Sequence, residues 1–108
     1  MKKKLSCIVF LALVMLVISI SPIYAGNWKK DNKGWWYQEN DGTYPKDDYK
    51  YVNEQWYYFD QDGLSHNGWL ELNGKKYYLD PITGYMVSNE TVKIDNGYYK
   101  FNENGELV

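Results

Sequence analysis

The 108-residue chain contains no arginine, one histidine and one cysteine, and the cysteine, Cys7, stands ahead of a long apolar run near the N-terminus. A lone cysteine excludes an internal disulfide, and its position leaves the rest of the chain without thiol chemistry. The single His66 has neither a partner histidine for a metal set nor a nucleophilic thiol after residue 25 to activate. Long hydrophobic runs are also missing after residue 20, so the stability of the remaining chain must come from something other than an aliphatic core or a covalent staple.

Lys2, Lys3 and Lys4 precede the run from Ile8 to Ile20, which is apolar apart from Ser19. The run is shorter than the ~20 residues needed to cross a bilayer. A basic start, a short apolar stretch, Pro22 and then the small pair Ala25-Gly26 form the pattern of a secretory signal peptide cut after Ala25. The expected division is a signal peptide over residues 1–25 and a repeat domain over residues 26–108, secreted and not an integral membrane protein after cleavage. Cys7 lies before the apolar stretch, which gives a lipid anchor no support.

Beyond residue 25 nine lysines face 14 acidic residues, a formal charge near −5. With no arginine and no basic stripe, nucleic acid is excluded as a partner despite many rings able to stack on bases. Those rings are what the chain has in abundance: 12 Tyr, 5 Trp and 3 Phe, 19% of all residues. The core is expected to be aromatic.

Gly42, Gly63, Gly84 and Gly105 recur every 21 residues. A constant period of that size marks a repeat architecture. Each glycine follows a similar phrase: Trp35-Trp36-Tyr37-Gln38, Trp56-Tyr57-Tyr58-Phe59-Asp60, Lys76-Tyr77-Tyr78-Leu79-Asp80 and Tyr98-Tyr99-Lys100-Phe101-Asn102. A shorter strand opened by Trp28, Tyr49, Trp69 or Thr91 precedes each phrase; Trp69 comes one residue early, and Pro81-Ile82-Thr83 restores the frame. Alternation in Trp69-Leu70-Glu71-Leu72 and Thr91-Val92-Lys93-Ile94 has the period of a strand, and Asn73-Gly74 and Asn96-Gly97 are two-residue turn signals. The predicted fold is all-β: a solenoid of four stacked β-hairpin repeats of about 21 residues, since an isolated hairpin is marginal and must bury its faces against its neighbours.

Gly34-Trp35-Trp36-Tyr37, residues 53–60 (NEQWYYFD), Gly68-Trp69 with residues 73–80 (NGKKYYLD) and residues 95–102 (DNGYYKFN) resemble the cell-wall-binding repeats of Gram-positive surface proteins, choline-binding and glucan-binding alike. The resemblance covers essentially everything after residue 25 and implies a left-handed hairpin solenoid. It further implies a secreted, non-catalytic module at the cell surface that recognises choline-substituted teichoic acid or a related cell-surface glycan. In choline-binding modules two rings come from one hairpin and a third from the next. Carried onto this chain, the first junction joins Trp28 and Trp35 with Tyr57 or Tyr58, and the second joins Tyr49 and Trp56 with Tyr77 or Tyr78. The third joins Trp69 and Tyr99, with Lys76 in the place of the second ring and Lys100 in that of the second tyrosine of the last phrase, departures that with Thr91 favour a structural or adaptor role. Ring faces suit choline because a quaternary ammonium cannot donate a hydrogen bond, each cation–π contact contributing ~0.5–2 kcal/mol. A lysine repels that ligand but can hydrogen-bond sugar hydroxyls.

Each ring also has a packing role open to it, and Tyr58, Phe59, Leu79 and Phe101 are expected in the core. Asp60 and Asp80 are expected to cap turns, since a Ca²⁺ site needs ~6–8 oxygens and no loop clusters them. His66 reads as a solvated loop residue. No carboxylate pair sits where burial would raise a pKa for glycoside hydrolysis, so no enzyme, cofactor or metal is expected. Two alternatives stay open: a structural or adaptor surface protein with degenerate repeats, and an α-glucan or oligosaccharide-binding module.

Overall fold

The structure, a computed structural model, describes residues 26–108; the expected signal peptide lies outside the described residues. Eight five-residue strands pair as four antiparallel hairpins: β1 (Asn27–Asp31) with β2 (Gly34–Gln38), β3 (Asp48–Val52) with β4 (Gln55–Phe59), β5 (Gly68–Leu72) with β6 (Lys75–Leu79), and β7 (Glu90–Ile94) with β8 (Gly97–Phe101). Each hairpin is a separate two-stranded sheet, and the described residues contain no helix. The result is the predicted all-β solenoid of stacked hairpins.

The hairpin turns follow the local chemistry, with one shift. Asn73 and Gly74 both take positive φ, 53° and 80°, as a two-residue turn matching strand twist demands. In the fourth hairpin the turn is Asp95-Asn96 instead of the expected Asn96-Gly97, because Ile94 pairs with Gly97. Asp95 accepts the left-handed conformation at φ 55°, which short polar side chains tolerate. Gly97 is thereby freed for a second use: a Cβ there would meet the Tyr99 ring at 3.0 Å.

Strand alternation gives every hairpin two faces, and the faces explain the stacking. The rear face of the second hairpin carries Lys50, Val52, Tyr57 and Phe59, that of the third Leu70, Leu72, Tyr77 and Leu79, and that of the fourth Val92, Ile94, Tyr99 and Phe101. Each packs on the forward face of the hairpin before it: Trp28 lies against Tyr57 and Phe59, and Trp69 against Tyr99 and Phe101. Phe59, Leu79 and Phe101 occupy one repeat position and are 0%, 1% and 1% exposed. Burying such a side chain stabilises the fold by ~1.5–3 kcal/mol. In the first hairpin the same face holds Lys29, Asp31 and Gln38, polar residues where no described hairpin lies behind, together with Trp36, which packs on Tyr44 at 5.4 Å. Tyr58, expected in the core, is half-buried on a forward face.

The connecting loops lock the stack through the backbone. Ser65, Met86 and Leu107 donate their N–H groups to the carbonyls of Trp35, Trp56 and Lys76 in the preceding hairpin, at 2.8, 2.9 and 2.8 Å. Asp60 Oδ1 accepts from the Asp62 and Leu64 N–H groups and Asp80 Oδ1 from Ile82 and Thr83, the expected turn caps. These bonds hold the Asp80 carboxyl below the usual carboxylate range. Gly63 and Gly105 turn at φ 84° and 81°, and a Cβ at either would strike Tyr44 or Met86 at 2.6 Å. At Gly63 and Gly105 the period is therefore both conformational and steric, whereas at Gly42, φ 90°, it is conformational alone.

Candidate ligand-binding site

The rings named from the sequence fall into three inter-hairpin junctions. At the first, Trp28 meets Trp35 edge-on at 6.5 Å and Tyr57 at 4.8 Å. At the second, Tyr49 meets Trp56 at 5.5 Å, and Tyr77 and Met86 line the same cavity, about 320 Å³ in volume. At the third, Trp69 meets Tyr99 at 5.0 Å and its own cross-strand partner Tyr78 at 5.1 Å, beside Glu71, Lys76 and Leu107. Trp35, Tyr49, Trp56 and Trp69 remain 49%, 61%, 40% and 39% exposed, so each keeps ring surface free for a ligand.

Alternation decides between the neighbouring tyrosines. Tyr57 and Tyr77 point rearward, into the first and second junctions. Tyr58 and Tyr78 point forward, opposite Tyr49 and Trp69 in register. Tyr58 therefore belongs to the second junction and Tyr78 to the third. Burial and then the neighbouring Tyr85 raise the Tyr57 hydroxyl above its usual value, while burial, followed by Asp47, Asp48 and Asp60, raises Tyr58. Both rings thus stay neutral at physiological pH. At the second junction Tyr51 also lies 5.0 Å from Trp56. The first carries a cation of its own: Lys30 Nζ sits 5.6 Å from the Trp35 ring centre, within cation–π range.

A sequence model described as "Choline-binding repeat" matches residues 48–90. The lysozyme of Streptococcus phage Cp-1 is 32% identical over 81% of this chain. The solved structure of the multimodular pneumococcal cell wall endolysin from phage Cp-1, complexed with choline, superposes with a TM-score of 0.73 and 36% identity over 79% of this chain. The choline binding domain of Spr1274 from Streptococcus pneumoniae aligns at 35% identity and TM-score 0.53, covering 56% of this chain and 80% of that domain. The chain belongs to the choline-binding repeat family. It spans 38% of the phage lysozyme and 25% of the endolysin.

Within these choline-binding repeats, sequence reasoning missed two sets of positions. The first is the residue two beyond each period glycine: Tyr44, Ser65, Met86 and Leu107. Met86 and Leu107 close the floors of the second and third cavities, and Ser65 lines the first. Their common offset from Gly42, Gly63, Gly84 and Gly105 is the signal that could have found them. The second is the cross-strand partner of the second ring position, which pairs Lys30 with Trp35, Tyr51 with Trp56, and Glu71 with Lys76. Counting outward from the two-residue turns yields these pairs.

Other expectations resolve more simply. Lys100 and Thr91 pair with each other on the forward face of the fourth hairpin, away from the third junction, so they do not bear on its ligand. His66 is half-buried and not a freely solvated loop residue. Its Nε2 lies 2.8 Å from the Trp69 carbonyl and its ring stands edge-on to Tyr58 at 6.4 Å. A carbonyl only accepts, so Nε2 carries the proton and His66 pins the loop to β5. No group of three or more His, Cys, Asp or Glu side chains able to hold a metal ion occurs among the described residues.

Proposed function

We propose that this chain is a secreted, non-catalytic cell-envelope binding module that takes the choline of choline-substituted teichoic acid into aromatic cages. The cages are Trp28, Trp35 and Tyr57 at the first junction and Tyr49, Trp56 and Tyr77 at the second. The observation that carries this reading is the second junction: three rings from two hairpins around one small cavity, with the Met86 side chain as its floor. Rings around a trimethylammonium group give attraction from several faces without hydrogen bonds. Export by way of residues 1–25 would deliver such a module to the wall of a Gram-positive cell. Two weak sites on one rigid stack also gain from avidity on a polymer that carries choline repeatedly.

Titrating the chain with choline and, separately, with an α-glucan oligosaccharide while following Trp fluorescence tests the proposal. Saturable quenching or enhancement by choline, with the glucan inert, is the expected result. A glucan response with no choline response overturns the ligand. Silence towards both leaves the adaptor reading standing.

A further inference from the structure

We propose that Met86 is an oxidation site: a hydroperoxide converts its thioether to the sulfoxide, and the new oxygen closes the cavity of the second junction while the first and third stay as they are. The oxidation stands on the side chain alone, and its effect on binding rests on the choline-binding reading. Met1 and Met15 belong to the expected signal peptide, so Met86 carries the one sulfur atom after residue 25. It holds the loop position that Tyr44, Ser65 and Leu107 hold in the other repeats, none of which offers a sulfur. Only the second junction can be altered in this way. The Met86 backbone is fixed by its N–H bond to the Trp56 carbonyl at 2.9 Å and by a bridge to Leu79. Its side chain lies across Gly105, where a Cβ would meet Met86 Cε at 2.6 Å and Sδ at 2.7 Å. It also lines the cavity of about 320 Å³ with Tyr49, Trp56 and Tyr77.

A half-buried thioether that lines an open cavity is within reach of a small oxidant. A sulfur lone pair attacks one peroxide oxygen, the O–O bond breaks, and the departing hydroxide takes the proton left on the transferred oxygen. The sulfur gives up two electrons and becomes a sulfoxide; the peroxide gains them and ends as water. The product is polar where the thioether was apolar, and larger by one oxygen. Gly105 packs against the sulfur so closely that not one carbon fits between them, so the added oxygen has the cavity as its open side. There it accepts hydrogen bonds, which a trimethylammonium group cannot donate, and it keeps water where the ligand would sit. The floors of the first and third cavities, Ser65 and Leu107, are inert to the same reagent.

The test treats the intact chain with hydrogen peroxide and follows its mass and its indole N–H signals. The peptide that carries Met86 is expected to gain one oxygen and to lose it again to methionine sulfoxide reductases. A Met86 that stays reduced while free methionine in the same solution is oxidised overturns the proposal. In the ligand-free oxidised chain the Trp56 signal should shift while those of Trp35 and Trp69 hold; an unmoved Trp56 contradicts an oxygen in that cavity. On titration with choline chloride, oxidation should raise the midpoint read at Trp56 about ten-fold and leave that at Trp35 where it was. An unchanged Trp56 midpoint in the oxidised chain counts against the inference. Met86→Leu, which copies Leu107, should show one Trp56 midpoint before and after peroxide, and Met86→Gln should reproduce the oxidised state without it, far-UV spectra confirming that both variants fold. If peroxide weakens Met86→Leu as much as the parent chain, the damage lies in another side chain and the inference is lost. If Trp35, Trp56 and Trp69 all ignore choline before any oxidation, the choline-binding reading fails by itself, and the ligand-free Trp56 signal still decides whether the oxygen enters the cavity.

Discussion

The second and third junctions share a backbone and differ most in charge, at two side chains that face each other across the strands. Both have a rear-facing tyrosine, Tyr99 in contact with Trp69 and Tyr77 lining one cavity with Tyr49 and Trp56, and both are closed by a loop residue whose N–H is bonded to the preceding hairpin. Where the second has Tyr51 opposite Trp56, the third has Glu71 opposite Lys76. The repeat thus specifies where the junction cavities fall, while one cross-strand pair sets the charge at their rim. A solenoid can vary that pair freely because it lies at the exposed rim, whereas the position of Phe59, Leu79 and Phe101 is sealed.

The most damaging test of this comparison attacks what the junctions share. Phe59→Ala empties a fully buried site between the first and second hairpins and should cost about 3–5 kcal/mol in chemical denaturation. Gln38→Ala, at the same repeat position in the first hairpin, should change stability by less than ~0.5 kcal/mol, as a surface substitution does. Equal effects would mean that the hairpins are not stabilised by stacking.

Next in size is Trp56→Ala. With its ring 40% exposed, Trp56 is sealed far less completely than Phe59. Its loss should weaken choline at the second junction by ~1–2 kcal/mol, about ten-fold, while Trp35 and Trp69 retain their own responses. Calorimetry beside a melting curve separates the two effects. A melting change larger than the binding change would assign the ring to packing.

Smaller still is the conversion of one junction into another. Lys76→Trp restores the ring that the second junction has in that place and should raise choline affinity at the third by ~1 kcal/mol. Unchanged choline binding in a folded variant would show that Trp69 and Tyr99, 5.0 Å apart and edge-on, leave no room for a third wall.

Much of this was legible in the sequence because glycine and aromatic residues carry the period. Gly63, Gly84 and Gly105 mark turns that no side chain could occupy without strain, and the Tyr-rich phrases mark second strands. The orientation of each Tyr-Tyr pair was not legible: two adjacent tyrosines look alike until the register shows that Phe59 and Leu79, sealed in the stack, carry Tyr57 and Tyr77 to the rear with them. The turn at Asp95-Asn96 was hidden by the stronger signal of Asn96-Gly97, because Gly97 serves the Tyr99 ring and not the turn. Lys100 misled for a related reason. It follows Tyr99 in the chain yet faces the opposite side, so a change there says nothing about the third cage.

The smallest predicted effect concerns the first junction, which has three rings as the second does but a lysine in place of Tyr51. Lys30 Nζ lies 5.6 Å from the Trp35 centroid, and Lys30 lines the same cavity as Trp28, Trp35 and Tyr57. A tethered ammonium at that ring offers the same attraction as the trimethylammonium of choline, and a ligand must displace it or share the ring with it. An exposed cation–π contact contributes ~0.5–1 kcal/mol, so its removal should strengthen choline binding at the first junction about two- to five-fold. Lys30→Met removes the charge and keeps the length of the stem, and Lys30→Arg keeps the cation. The Trp35 indole signal should therefore titrate earlier in the methionine variant and at an unchanged midpoint in the arginine one. If both variants bind choline as the parent chain does, Lys30 stands outside the path of the ligand, and the cross-strand pair governs the second and third junctions alone.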